Sequence, residues 1–366
     1  MIYTNSYYPD VLLNEMRTIG DPTADAVIEH LFREGQTLAV NQLLSTLDAN
    51  TQLLPSDLPD PVRQYLETTA HLPEWADRKA MKRGHAFFSR HAEAIMSTLG
   101  SLSLPYCYAA ADGAQVLLLS LRMRYDVERR LTETNQFMLD VMDSQAFEPK
   151  GKGFRSIQKV RLMHAAIRFH ILKSGKWNQA WGHPINQEDM AGTNQTFSYI
   201  PLEGLTKLGI VYSLQEAEDF LHLWNVIGYL LGVDAQILPS SMNEAFWFDK
   251  QIQKRHFRES EAGIELTKAL VDFLVALTPQ SVARDFIPSF MRYLLSDPVA
   301  DLLHLPHSNW THSFLGPIKV ANFIQSMLKG FKGSHTSDLS KAIYKGIDLQ
   351  REKVLFQTPL RIGGLQ

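Results

Sequence analysis

A single cysteine, Cys107, stands in a chain of 366 residues, so no disulfide can close within it and no cysteine-rich zinc or iron–sulfur site can be built from it. Charge of one sign is equally scarce. Thirty-six Lys and Arg against 39 Asp and Glu give a net charge of −3, with both signs mixed along the length, which excludes a basic nucleic-acid footprint and a polybasic membrane surface. No apolar run is long enough to span a bilayer. The start, MIYTNSYYPDVLLNEMR, lacks the basic region and apolar core of a secretory signal, and a cytoplasmic protein is expected. Four catalytic signatures are also missing: the HExxH zinc helix, the phosphate-binding loop ending in Gly-Lys-Ser/Thr, the GxSxG elbow and the dinucleotide glycine fingerprint.

What is present is material for a sizeable core, 45% of the residues being hydrophobic. Helix starts recur. Asp21-Pro22 opens a segment reaching Glu34 with Gly35 after it, Asp60-Pro61 opens another, and Pro73 precedes a pattern running to Gly100. From Ser101 to Leu121 the chain reads SLSLPYCYAAADGAQVLLLSL, almost without charge and therefore buried on nearly every side. Pro105 and Gly113 are expected to break it, with a helix from about Ala114. An amphipathic helix follows from about Val127 to Asp143. Asn186 with Asp189, and Ser213 with Glu216, have the spacing of helix N-caps. Alternating β-branched runs joined by hairpin turns are lacking. The expected class is all-α, with residues 1–366 forming a single large helical domain.

The stretch that needs an explanation is Gly151 to Lys173, GKGFRSIQKVRLMHAAIRFHILK. Ile157, Val160, His164, Ile167 and Ile171 recur at the three-and-four spacing of a buried helix face, so His164 points inward, with Arg161 and Arg168 one turn to either side. Two readings stand. In one, His164 is a core histidine bonded to a carbonyl and both arginines run out to solvent. In the other, a flat anionic metal cofactor such as haem is held there, with His164 on the iron and arginine on the propionates. Downstream, Thr193, Asn194, Gln195 and Thr196 stand in succession, so at least one polar side chain must face inward however the helix is rolled. His304, His307 and His312 could be imagined as a metal site but have no acidic partner beyond Asp301; His222 is read as structural or surface.

KVRLMHAAIRFHIL, then GHPINQEDMAGTNQTFSYIPLEGLTKLG, then EAEDFLHLWNVIGYLLGV resemble the domain shared by bacterial rubber oxygenases and the fungal MpaB-type oxygenases. The resemblance covers residues 73–241, leaving helical N- and C-terminal extensions. It implies a globin-like helical core, a b-type haem with its iron, and an oxidoreductase that uses dioxygen on a small hydrophobic, isoprenoid-like substrate. It also implies site residues. In rubber oxygenases the proximal histidine falls in the segment that reads here Gly192-Thr193-Asn194-Gln195, and Gln195 takes its place. An arginine followed three residues later by a distal lysine is matched here by Arg161 and His164. The iron is then expected on the His164 side, with Arg161 and Arg168 on the propionates, dioxygen on the opposite face beside Thr193 to Thr196 where Gln195 or Asn194 can hydrogen-bond it, and Glu148 as a candidate base. A haem protein without oxygenase turnover, serving as sensor or peroxidase-like scavenger, and a haem-free helical carrier of a hydrophobic ligand remain as alternatives.

Overall fold

The computed structural model describes residues 7–120, 127–277 and 283–307. Among these the chain carries no strand, only an isolated antiparallel bridge between Ala110 and Phe257, and the protein is all-α. The helices in chain order are α1 (Asp10–Met16), α2 (Pro22–Arg33), α3 (Thr37–Thr46), α4 (Asp60–Thr68), α5 (Arg78–Thr98), α6 (Leu104–Tyr108), α7 (Ala111–Leu119), α8 (Val127–Met142), α9 (Gly153–Lys173), α10 (Gln187–Phe197), α11 (Tyr199–Lys207), α12 (Leu214–Leu230), α13 (Met242–His256), α14 (Glu261–Leu277), α15 (Ala283–Leu295) and α16 (Asp297–Leu302).

The starts are set by the residues that the sequence singles out. Asp21 caps α2 with Pro22 in the first turn, and the Asn186 side chain accepts from the amide of Asp189 at 2.9 Å. Ser213 and Glu216 close a reciprocal capping box on α12. The stretch around Pro105 departs from expectation. Instead of breaking there, α5 widens into a π turn over Leu99–Ser103 and runs directly into α6, with Pro105 in its first turn. The break falls at Ala110, which bridges to Phe257, and α7 starts three residues ahead of Ala114.

Two long seams hold the interior. Along one, α12 packs against α5, burying Phe87, Ile95, Phe220, Leu223, Trp224 and Ile227. Along the other, α9 packs against α2, with Phe32 stacked on Phe169 at 4.3 Å. Gly228 permits α12 to approach α10, since a Cβ there would come within 2.9 Å of Asn194 Oδ1. Beyond the end of α12, Gly232 has φ +91°, and a Cβ there would lie 2.7 Å from Asp21 Oδ2. The fold thus brings α9, α10 and α12 around one interior region.

Candidate active site

On α9 the apolar stripe is sealed at its ends, Ile157 and Ile171 being 1% and 3% exposed, but Val160, His164 and Ile167 between them keep accessible surface. Of these, Ile167 opens on a groove between α2, α3 and α9, whereas His164 is half-buried away from it. Its ring makes no hydrogen bond among the described residues, and Nδ1 is buried with no partner. The core-histidine reading required a carbonyl; the structure supplies none. Burial, and then the charge of Arg168, lower the imidazole pKa from 6.5 to about 4, so His164 is a neutral base at physiological pH.

Further unpaired polar atoms come from neighbouring helices. Asn194 and Gln195 of α10 are 5% and 3% exposed, and Asn194 Oδ1 and both amide atoms of Gln195 lack partners. Trp224 of α12 is stacked on Phe197 at 5.1 Å with Nε1 unpaired. Thr196 is tied to α6 by the Cys107 thiol, with Sγ 3.2 Å from Oγ1, while the neighbouring Tyr108 hydroxyl has no partner. Each unsatisfied buried group costs about 1–3 kcal/mol, and native interiors leave few. Imidazole, amide, indole and phenol groups left bare have the chemistry to meet a polar or metal-containing ligand. Within the nearly uncharged stretch Leu104, Leu117 and Leu118 are only partly covered and pack against the core cluster that contains Tyr108.

Other predicted residues lie elsewhere or are already engaged. Arg161 makes a two-point ion pair with Asp21, Nη2 donating to Oδ1 at 2.8 Å and Nε to Oδ2. Arg168, 1% exposed, donates from Nε to Asp25 at 2.8 Å and from Nη1 to the Ile185 carbonyl at 3.1 Å. Both arginines therefore clamp α2 to α9 and spend their charge there; only Arg168 Nη2 remains unpaired. Thr193 is exposed and returns its hydroxyl to the Asp189 carbonyl at 2.8 Å. Glu148 lies on the surface, 3.8 Å from Arg78. The structure brings neither residue to His164. Among the described residues no cluster of histidine, cysteine and carboxylate could hold a metal ion; His304 pairs with Glu259 and His307 with Asp301, and His312 lies outside them. His222 accepts from the Asp77 amide at 2.9 Å, a structural role. A groove of about 240 Å³ between α2, α3 and α9, lined by Ile28, Phe32, Leu44, Met163 and Ala166, contains none of the unpaired atoms.

Sequence reasoning missed the groups that use up the arginines, because Asp21 and Asp25 lie 140 and 143 residues away. It also missed Arg130 on α8, whose neighbours Glu128 and Arg129 make it read as part of a charged surface. Arg130 is partly buried and acts electrostatically on Cys107, Tyr108 and His164.

A sequence profile of the ER-bound oxygenase mpaB/B'/Rubber oxygenase catalytic domain matches residues 105–321, more than half of the chain, with α9, α10 and α12 inside it. The chain belongs to this family. A rubber oxygenase from Streptomyces sp. (strain K30) is 29% identical over 290 residues, covering 78% of this chain and 71% of the relative. A solved structure of latex clearing protein LCP in the closed state superposes with a TM-score of 0.73 at 25% identity, covering 92% of this chain and 91% of that one. As a member of the mpaB/rubber oxygenase family the protein is an enzyme, an oxidoreductase of the oxygenase type. The match begins further along the chain than the resemblance drawn from the sequence and extends past it into α14, α15 and α16. No helix among the described residues is long and apolar enough to cross a membrane.

Proposed function

We propose that this enzyme is a haem b-dependent oxygenase that acts with dioxygen on a hydrophobic, isoprenoid-type substrate, with His164 as the residue that would hold the iron. One observation carries the reading: a neutral imidazole on α9 has no hydrogen-bond partner, and Asn194 Oδ1 with both amide atoms of Gln195 on α10 are likewise buried and unpaired, both helices packing on α12. These residues fit the cofactor. Imidazole is a normal axial ligand of haem iron, whereas a carboxamide ligates iron poorly and serves better as a hydrogen-bond partner. Bound haem supplies activation of dioxygen at its iron; the rest is work for this chain's own side chains.

His164 would ligate from α9 without having to lose a proton, since burial keeps it neutral down to about pH 4. Gln195, with an unpaired donor and an unpaired acceptor, would orient a polar ligand on the opposite side. Leu104, Leu117, Leu118 and Trp224 would exclude water and seat a hydrocarbon. Arg161 acts at one remove: its pair with Asp21 holds α9 against α2 and so fixes the rotation that aims His164 inward. Arg168 does the same one turn further on, with Nη2 left for a cofactor carboxylate. Thr193 and Glu148 have no part in this arrangement. The substrate class rests on the names of the relatives, a rubber oxygenase and a latex clearing protein.

The test is spectroscopic first. Purified protein should show a Soret band at about one haem per chain, as a single axial histidine requires, and His164→Ala should abolish or sharply shift it. Colourless protein that also refuses added haemin would sink the proposal. Gln195 at the place where the resemblance implies a histidine favours a second reading, haem binding without turnover. Oxygen uptake with squalene or polyisoprene separates the two.

A further inference from the structure

A second face of α9 is open and takes no part in the site proposed above. Met163, Ala166, Ile167 and His170 recur on it at helical spacing, beside the face that carries His164, and with α2 and α3 they border a groove of about 240 Å³. Its walls are apolar, with Ile28 and Phe32 from α2 and Val40 and Leu44 from α3. Leu38 of α3 lines it as well and is 69% exposed. Among the described residues no lysine, arginine, aspartate or glutamate borders it.

Polarity is gathered at one end. Helix α3 runs antiparallel to α9: at the far end Lys159 donates to the Leu47 carbonyl, and at the near end Phe32, just ahead of the turn into α3, meets the His170 ring edge-on at 4.7 Å. Thr37 and Asn41, one turn apart in the first half of α3, therefore face the last turns of α9 together with His170. All three side chains are half-buried, and none makes a hydrogen bond among the described residues. Burial lowers the His170 pKa below its ordinary value, so the ring is uncharged at neutral pH.

A hydroxyl, a carboxamide and a neutral imidazole can donate to and accept from an uncharged oxygen but offer no counter-charge. A carboxylate seated there would lose hydration without being paired. The groove also falls below the roughly 300–1,000 Å³ of sites for drug-sized molecules, which limits the ligand to on the order of ten carbons. We infer that this groove is a second ligand site, for a short hydrocarbon ending in an uncharged hydroxyl or carbonyl group, with the head group at Thr37, Asn41 and His170. It is separate from the oxygenase site and does not depend on haem.

Methyl NMR of the full chain, labelled at the methionine methyl groups, reads the groove through Met163, whose signal Met163→Leu identifies. Three small isoprenoid probes differ in their polar end: geraniol has a hydroxyl, geranate a carboxylate, and myrcene no oxygen. Geraniol should shift the Met163 signal saturably and bind about tenfold more tightly than geranate, whose charge finds no partner. Asn41→Leu should weaken geraniol about fivefold, the worth of one neutral hydrogen bond, and leave myrcene unchanged, which shows that the variant is folded. Should Asn41→Leu lose myrcene too, the ratio of geraniol to geranate in the wild type decides. A Met163 signal unmoved by geraniol, as when a second copy or another segment of the chain covers the groove, would overturn the inference. So would geranate bound as tightly as geraniol, or a folded Asn41→Leu variant that binds geraniol as the wild type does.

Discussion

Helix α10 carries two polar regions that obey opposite rules. In its first turn Glu188 is buried and Asp189 half-buried, and every charge there is met. Arg255 donates to Glu188 from Nε at 2.7 Å, His256 Nε2 lies 2.9 Å from the same carboxylate, and Arg17 reaches Asp189 and Asp112 at 3.3 Å each. Burial raises the pKa of Glu188, but hydrogen bonds from His256 and Arg255 hold it below the usual carboxylate value; burial pushes Asp189 up to about 6 in spite of Arg17. Two turns later Asn194 and Gln195 are buried too and leave Asn194 Oδ1 and both amide atoms of Gln195 unmet. The first region ties α1, α7, α10 and α13 together and explains itself. The second is left open, and on the function proposed above that difference separates a structural network from a site.

Removing polarity from the two regions should therefore change stability in opposite directions. The largest effect is expected at the paired end. Arg17→Met leaves Asp112, Glu188 and Asp189 without a shared cation, and breaking a buried ion pair from one side costs about 3–5 kcal/mol; urea unfolding should show a loss of that size. At the unpaired end Gln195→Leu removes two unsatisfied atoms and keeps the volume, so ligand-free protein should gain about 1 kcal/mol. A loss at Gln195 comparable to that at Arg17 would dissolve the distinction between the two regions.

A smaller effect sharpens the comparison through pH. His164 has its folded-state pKa lowered from 6.5 to about 4, so between these values the unfolded chain binds a proton that the folded chain refuses. Its stabilising contribution is whole above pH 6.5 and declines as pH falls towards 4. The stability of wild type relative to His164→Leu should therefore fall steadily across unfolding curves at pH 7, 5.5 and 4.5. A constant difference would mean that the ring is solvated rather than enclosed. Haem ligated by His164 should correspondingly keep its Soret band to well below pH 6.

Much of the fold was legible because helix boundaries are written locally: Asp21-Pro22, Asn186 with Asp189, and Ser213 with Glu216 cap where their spacing says they should. Pro105 was misread because its effect depends on the turn before it, and a π turn there lets the chain stay helical. His164 was legible from its stripe, as was an inward-facing polar group between Thr193 and Thr196. The fates of Arg161 and Arg168 were not, since which carboxylate meets a guanidinium depends on helices brought together from more than a hundred residues apart. Arg130 was hidden by its own neighbours. Charge in a sequence says nothing about which side of a helix is inside.

The paired arginines of α9 also bear on how anything reaches the interior. Arg161 and Arg168 are seven residues apart on one helix, and their partners Asp21 and Asp25 four apart on the other, so parting α2 from α9 would strip two ion pairs in one movement. That seam is a hinge pin rather than a door, and it differs from the far end of α7, where Leu117, Leu118 and Leu119 are half-covered and make only apolar contacts.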